Sequence, residues 1–326
     1  MFFKTVIVAI AMVVTAQYVS AQDAQEESTA LSKLCVIQSA AIAESSGIAH
    51  SHHYEDAVWT HNDSGRSSTA YLVSTQSGET LIEANIENAD NRDWEDIDSF
   101  QFADKNYLLI ADIGDNLRKR STYQLCIFPE PELELADVEQ PHRIRLRDWK
   151  DIRFNYEDGS HDCEAVAADM NSNQIILLEK IYLNDKRAPG IYVIELPSKK
   201  TSDPLTATRA GELSLKNITA MDLSADGNTM VIRTYLAGFI YTKTPEQTWS
   251  EVLPNATPRQ IGLPIQRQGE GICFTRDESG VICSSEFRNS ALWRVNLENG
   301  NDTKAKDLNT LGESSNETKP AAVKTD

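Results

Sequence analysis

Apolar residues in this chain come in short runs separated by polar breaks. A first run opens at Ile48, a polar turn occupies 53–56, and further apolar runs follow at 57–60 and 71–73. The same series then recurs: turn 103–106 with runs 107–111 and 123–128, turn 171–173 with runs 174–178 and 191–196, turn 225–228 with runs 229–232 and 239–241, and turn 277–280 with runs 281–284 and 292–295. β-Branched and aromatic residues fill the runs, and Gly, Asn, Asp and Ser fill the breaks, which is the signature of strands and turns. Fourth strands are visible at 80–86 in the first series and at 143–146 in the second. No long segment beyond the first residues has a helical apolar period, so the chain reads as all-β.

Each series opens on one frame: Ser46-Gly47-Ile48, Glu95-Asp96-Ile97, Glu164-Ala165-Val166, Thr219-Ala220-Met221 and Glu270-Gly271-Ile272. An oxygen-bearing side chain stands two residues before an aliphatic one. A repeat of about fifty residues built from strands points to a β-propeller. The expected architecture is a five-bladed β-propeller over 31–298. The longest gap, between Glu95 and Glu164, holds a Pro- and charge-rich insertion at 129–158. A blade hidden there would make six, which is the alternative. The stretch 34–38 has no partner of its own, and the fifth series runs out of strand near Leu297. The N-terminal stretch is therefore expected to add the outer strand of the last blade and close the ring, since an open ring leaves sheet edges unpaired.

The ends of the chain read differently. Lys4, the apolar stretch 5–16 and the small residues Val19-Ser20-Ala21 predict an export signal over 1–21. That apolar stretch is too short to span a membrane, and no cysteine follows the cleavage point to carry a lipid. An exported protein, periplasmic or extracellular, with no stable membrane anchor is expected. A short linker at 22–30 precedes the propeller, and 299–326 is a polar tail of disordered character.

The formal charge is −18, and it grows more negative once Lys4 is removed. This argues against nucleic acid or an anionic membrane as the main partner. It favours cations, or a metal that bridges to a small anionic molecule, although an acidic surface also serves plain solubility. The protein is expected to be a monomer. There are five cysteines, and an odd number leaves at least one free thiol. Cys273 and Cys283 flank the turn at 277–280 and stand on facing strands, whereas Cys126 and Cys163 read as buried apolar residues.

The first strand of each propeller blade lines the axis, and the second runs back to the same rim. Ser46, Glu95, Glu164, Thr219 and Glu270 are then gathered at one end of the channel. Carboxylates so close repel one another unless a hard cation such as Ca²⁺ sits between them. The ends of the second strands bring a further polar set to that rim. From it, His61, Asp63, Asp112, Glu179 and Glu286 are candidates for acid–base chemistry. Arg233, Lys180, Asn116 and Arg288 are candidates for holding an anionic substrate. His61 reads equally as a structural hydrogen-bond partner, Lys180 as a salt-bridge partner, and Asp112-Ile113-Gly114-Asp115-Asn116 as a turn after a strand rather than a metal loop. No serine nucleophile elbow, phosphate-binding glycine loop or zinc motif is present.

The order Ser, Glu, Glu, Thr, Glu, one per repeat, resembles the calcium-activated nucleotidase (apyrase) family. The resemblance implies a five-bladed propeller with an axial Ca²⁺ at Ser46, Glu95, Glu164, Thr219 and Glu270, with Thr219 standing where that family has Ser. It also implies hydrolysis of nucleoside di- and triphosphates. The wording Asp93-Trp94-Glu95-Asp96, Asp162-Cys163-Glu164-Ala165 and Gly269-Glu270-Gly271 resembles exported bacterial propellers of phytase-like or esterase-like type. Both resemblances run over about 45–295 and speak to fold and ion more than to substrate. The expected activity is that of a Ca²⁺-dependent phosphohydrolase. The alternatives are a non-catalytic binding protein with a structural Ca²⁺, and a lactonase- or esterase-like hydrolase.

Overall fold

Every apolar run predicted above is a strand in the computed structural model, which describes residues 31–135, 141–197 and 203–297. The export signal predicted at 1–21, the linker at 22–30 and the tail at 299–326 lie outside the described residues. Among the described residues no helix is long and apolar enough to cross a membrane, and the helix α1 (Trp249–Val252) is a single turn.

Strand β1 (Leu31–Val36) is followed by an antiparallel meander of β2 (Ser45–His50), β3 (Ala57–Asn62), β4 (Thr69–Ser74) and β5 (Thr80–Ile86). The next strands are β6 (Trp94–Phe102), β7 (Lys105–Asp112), β8 (Tyr123–Pro129), β9 (His142–Leu146) and β10 (Lys150–Tyr156). They are followed by β11 (Cys163–Asp169), β12 (Gln174–Glu179), β13 (Gly190–Glu195) and β14 (Leu205–Glu212). Then come β15 (Ile218–Leu223), β16 (Thr229–Thr234), β17 (Ala237–Thr242) and β18 (Arg259–Gly262). The last are β19 (Ile272–Phe274), β20 (Gly280–Cys283) and β21 (Ala291–Asn296). Hydrogen bonds join them into sheets of order β2-β3-β4-β5-β9, β6-β7-β8-β10-β14-β13-β12-β11, β15-β16-β17-β18 and β19-β20-β21-β1. The last sheet thus takes its edge from the other end of the chain, with Leu31 opposite Val295 and Val36 opposite Ala291.

The insertion departs from the expected arrangement. The 143–146 run does not serve as the fourth strand of the second series. It is part of β9, which pairs in parallel with β5, Ile82 opposite His142. The strand beside β8 is β10, with Ile152 opposite Leu125. Side-chain alternation explains both choices. Ile144 and Leu146 of β9 pack on the apolar cluster between the first two meanders, whereas Phe154 and Tyr156 of β10 enter the next cluster along.

Alternation also explains the core. In β3, Val58 and Trp59 point to opposite faces and join different clusters. Repeated around the molecule, this gives an apolar layer between each meander and the next, and between the last and the first. Each large side chain buried there contributes about 1.5–3 kcal/mol. All five cysteines are buried and free. Cys273 is opposite Ile282, and Cys283 is opposite Ile272. One register step puts the two thiols in clusters on opposite faces of the sheet.

The first strands β2, β6, β11, β15 and β19 pack side by side in cyclic order, β19 returning to β2. No ladder joins them, so their facing edges present N–H groups that need acceptors. Aspartates supply them. Asp96 accepts from Val166 N at 3.0 Å, Met221 N at 3.2 Å and its neighbour Ile97 N at 2.9 Å. Asp98 accepts from Ala168 N at 2.7 Å and Asp222 from Phe274 N at 2.6 Å. Gly47 allows β2 to approach this point, because a Cβ there would sit 2.8 Å from an Asp96 carboxylate oxygen.

Candidate metal centre

Four of the frame residues fall where the strand register slips. The β2–β3 pairing shifts between Ser45 and Ile48, the β6–β7 pairing between Trp94 and Asp96, the β11–β12 pairing between Cys163 and Ala165, and the β15–β16 pairing between Ile218 and Ala220. The extra residues at these bulges are Ser46 with Gly47, Glu95, Glu164 and Thr219. A bulge places an unpaired residue out of the alternation and re-aims its side chain. Glu270 stands two residues ahead of β19. All five frame residues are buried.

The two hydroxyls and the three carboxyls behave differently. Ser46 Oγ donates to the Glu95 carbonyl at 2.7 Å. Thr219 Oγ1 donates to the carbonyls of Gly269 at 3.2 Å and Glu270 at 3.1 Å. Each hydroxyl ties one first strand to the segment entering another. Glu95 instead faces other acids. Oxygens of Asp63, Asp93 and Glu95 lie within 4.8 Å of one another, and the Glu95 and Glu164 carboxyls hydrogen-bond to each other. Burial, then the charges of Glu164, Asp63 and Asp93, pushes the Glu95 carboxyl far above the usual carboxylate range. Burial followed by Asp63 pushes Asp93 up to about 7, and burial raises Asp63.

These residues suit a hard cation. The donor set is all oxygen, as Ca²⁺ prefers. Among the described residues no backbone amide donates to the carboxyls of Asp93, Glu95 or Glu270, and Glu270 Oε2 is buried without a partner. The backbone of Gly114 leaves room beside them: a Cβ at that position would overlap Glu95 Oε1 and come within 2.6 Å of Asp93 Oδ2. The residues able to hold the cation are Asp63, Asp93 and Glu95, with Glu164 and Glu270 beyond them.

Lys180, the residue after β12, stands beside Glu164 at the same end of the strands. Its ammonium lies 3.0 Å from Glu164 Oε1 and over the rings of Tyr235 and Tyr182, at 5.1 and 5.9 Å. Burial opposes its charge, but Glu164 and then Glu270 outweigh burial and keep it protonated. Burial outweighs the downward draw of Arg120 on Asp93 and of Arg233 on Glu270, and Glu270 is pushed up to about 8. Glu286 is also at this rim. It accepts from Gln268 Nε2 at 2.6 Å and is pushed up to about 7 by burial and then by Asp63.

The other predicted residues have different surroundings. His61 is fully buried, edge-on to Trp94, with Nδ1 3.0 Å from the Asn62 carbonyl, and burial pushes it down to about 4. Asp112 is ion-paired to Arg120 and accepts from Arg92 N. Glu179 accepts from Gly190 N and pairs with Arg118 and His161; these partners outweigh burial and lower its pKa. The Arg233 guanidinium is buried and donates to the carbonyls of Gly271 and Ser284 and to Gln266 Oε1. Asn116 and Arg288 are exposed on rim loops. The 112–116 segment is a turn that seats Gly114 behind the acids, with Asp115 capping the amides of Lys119 and Arg120.

Sequence reasoning passed over Asp93 and the aspartates that join the first strands, Asp96, Asp98 and Asp222. Asp93 had a signal, because an Asp precedes the Glu by two residues in both Asp93-Trp94-Glu95 and Asp162-Cys163-Glu164. Asp162 has another task and accepts from Asp115 N at 2.7 Å.

No family model matches the chain, and no curated protein matches it. Among solved structures it is similar to hydrazine synthase of Kuenenia stuttgartiensis, at 9% identity and a TM-score of 0.40, over 74% of this chain and 69% of that one. It is also similar to Raptor of Chaetomium thermophilum, at 11% identity and a TM-score of 0.35, over 78% of this chain and 20% of that one. At such scores neither likeness carries an argument about function.

Proposed function

We propose that this chain is an exported five-bladed β-propeller, closed by its N-terminal strand, that binds Ca²⁺ at the mouth of its channel. In this reading Asp63, Asp93 and Glu95 would hold the ion, which would supply positive charge to a small phosphate-bearing anion bound for hydrolysis. One observation carries it: Asp63, Asp93 and Glu95 crowd together with no backbone amide on Asp93 or Glu95, beside a buried Glu270 oxygen that has no partner. Five blades are supported by the cyclic packing of β2, β6, β11, β15 and β19, with β9 and β10 added to existing sheets. Lys180 adds a fixed ammonium beside Glu164 at the same end of the strands. Glu286, with its carboxyl near neutrality and next to Asp63, is the group placed to accept a proton from water.

A second reading, an ion that only binds and stabilises, is favoured by the engagement of His61, Asp112 and Glu179 in internal bonds. Two measurements separate the readings. Calorimetry should show Ca²⁺ binding that Glu95→Gln weakens. Phosphate release from nucleotides and phytate should occur with Ca²⁺ and stop with chelator. Ca²⁺ binding without release from either substrate would select the second reading, and no Ca²⁺ binding would refute both.

A further inference from the structure

We propose that the end of the molecule carrying the acidic mouth is also a docking face for an anionic lipid surface. Among the described residues the exposed large apolar side chains are Leu117, Tyr182, Leu183, Leu236, Ile265 and Phe287, with Phe102 the one remaining. Strand register places the first six at a single end. Trp94, at the start of β6, is opposite Asp112, so the loop carrying Leu117 lies at the mouth. Cys163 is opposite Glu179, Ile218 opposite Thr234 and Ile272 opposite Cys283, which puts the Tyr182–Leu183 loop, Leu236 and Phe287 at the same end. Ala237 is opposite Gly262, and the chain leaves β18 there through Ile265. Phe102 is the last residue of β6, at the other end of that strand.

Scattered exposed apolar residues are normal on a soluble protein, but a concentration of them marks a binding surface. Leu117, Leu183, Leu236 and Ile265 are 66–106% exposed, so they cover nothing among the described residues. Charge selects the occupant. Exposed Lys119, Lys186, Arg267 and Arg288 stand one to three residues from Leu117, Leu183, Ile265 and Phe287. The Arg267 guanidinium lies over the Phe287 ring at 4.8 Å. Apolar tips beside cations are the chemistry of interfacial anchors: the tips enter the acyl boundary and the cations meet headgroup phosphates. Of the acids of the mouth, Glu95, Glu164 and Glu270 are buried below the rim, and the half-buried Asp63, Asp93 and Glu286 are what the cations at the loop tips must outweigh. The overall charge of −18 argues against an anionic membrane only if it is spread evenly. The inference rests on the loop tips and is independent of the cation at the mouth.

Co-sedimentation of the mature full chain with vesicles tests it, run in chelator so that no ion contributes. Expected is binding to mixed phosphatidylglycerol–phosphatidylcholine vesicles that weakens with salt, and little binding to phosphatidylcholine alone. The pair Leu236→Glu and Ile265→Glu should reduce binding about tenfold or more. The pair Lys119→Glu and Arg288→Glu should reduce it about fivefold for each charge removed. Phe102→Glu should change nothing. Absence of binding to the anionic vesicles, or an equal loss with Phe102→Glu, would overturn the proposal. Concentration-dependent dimerisation abolished by the Leu236/Ile265 pair, with vesicle binding untouched, would overturn it in favour of a second copy of the chain.

Discussion

Glu95 and Asp96 are neighbours in the chain, both buried where the first strands meet, and they have opposite surroundings. Asp96 meets three backbone amides from three strands. Glu95 meets other carboxyls and no amide. Burial raises the pKa of both. The difference teaches that burial of an acid says little about its role. What decides is whether donors already surround it. An acid that amides satisfy is a fastener between strands, whereas one that only acids face needs something positive from outside.

The contrast can be broken by exchange of the two roles. Asp96→Ala removes an acceptor from three amides and should cost about 4 kcal/mol in urea unfolding, with Ca²⁺ affinity of the surviving folded protein little changed. Unchanged stability would remove the fastener role. Glu95→Gln should do the reverse. Without metal it should melt no lower than the parent, because it relieves repulsion, and by calorimetry it should bind Ca²⁺ about 10–100-fold more weakly. A parental Ca²⁺ affinity would show that the mouth is not the site.

A smaller effect follows from pH. The folded carboxyls of Asp93 and Glu286 are near 7 and that of Glu270 near 8, above unfolded values of about 4. The folded protein therefore holds protons that the unfolded chain has lost, and the stability this gives is present at about pH 4 and lost as pH rises through 7–8. In chelator the melting temperature should fall by several degrees between pH 5 and 8. Saturating Ca²⁺ should remove most of that fall, and Ca²⁺ affinity should rise with pH as protons are displaced. Parallel pH profiles with and without Ca²⁺ would contradict this. The smallest effect belongs to the hydroxyls. Ser46→Ala and Thr219→Ala should each cost about 1 kcal/mol and leave Ca²⁺ affinity within error, since both hydroxyls are spent on carbonyls.

Much of this was legible in the sequence, and the rest was not for identifiable reasons. The spacing of Glu95, Glu164 and Glu270 ahead of aliphatic residues marked the mouth, because the entry to a strand, with a bulge at Glu95 and Glu164, is set by local sequence. Ser46 and Thr219 shared that spacing, yet their short side chains reach a carbonyl on a neighbouring strand, which spacing cannot reveal. Asp93 was missed because it joins Asp63 only through the loops before β6 and after β3. The fourth strand of the second series was misplaced because β9 and β10 carry similar alternation, and only tertiary packing assigns them to different sheets. The aspartates that join the first strands looked like ordinary strand residues, and their partners are 52 to 125 residues away.

The pairing of β1 with β21 also bears on how the protein reaches its final form. Leu31 must wait for Val295 before it can bond. Contacts of such long range are slow to form, so the edge of the last sheet stays available until β21 has been delivered. A chain halted before residue 291 is expected to remain protease-sensitive in β19 and β20, and to become resistant on release. The first strand of the described residues is thus the latch that closes last.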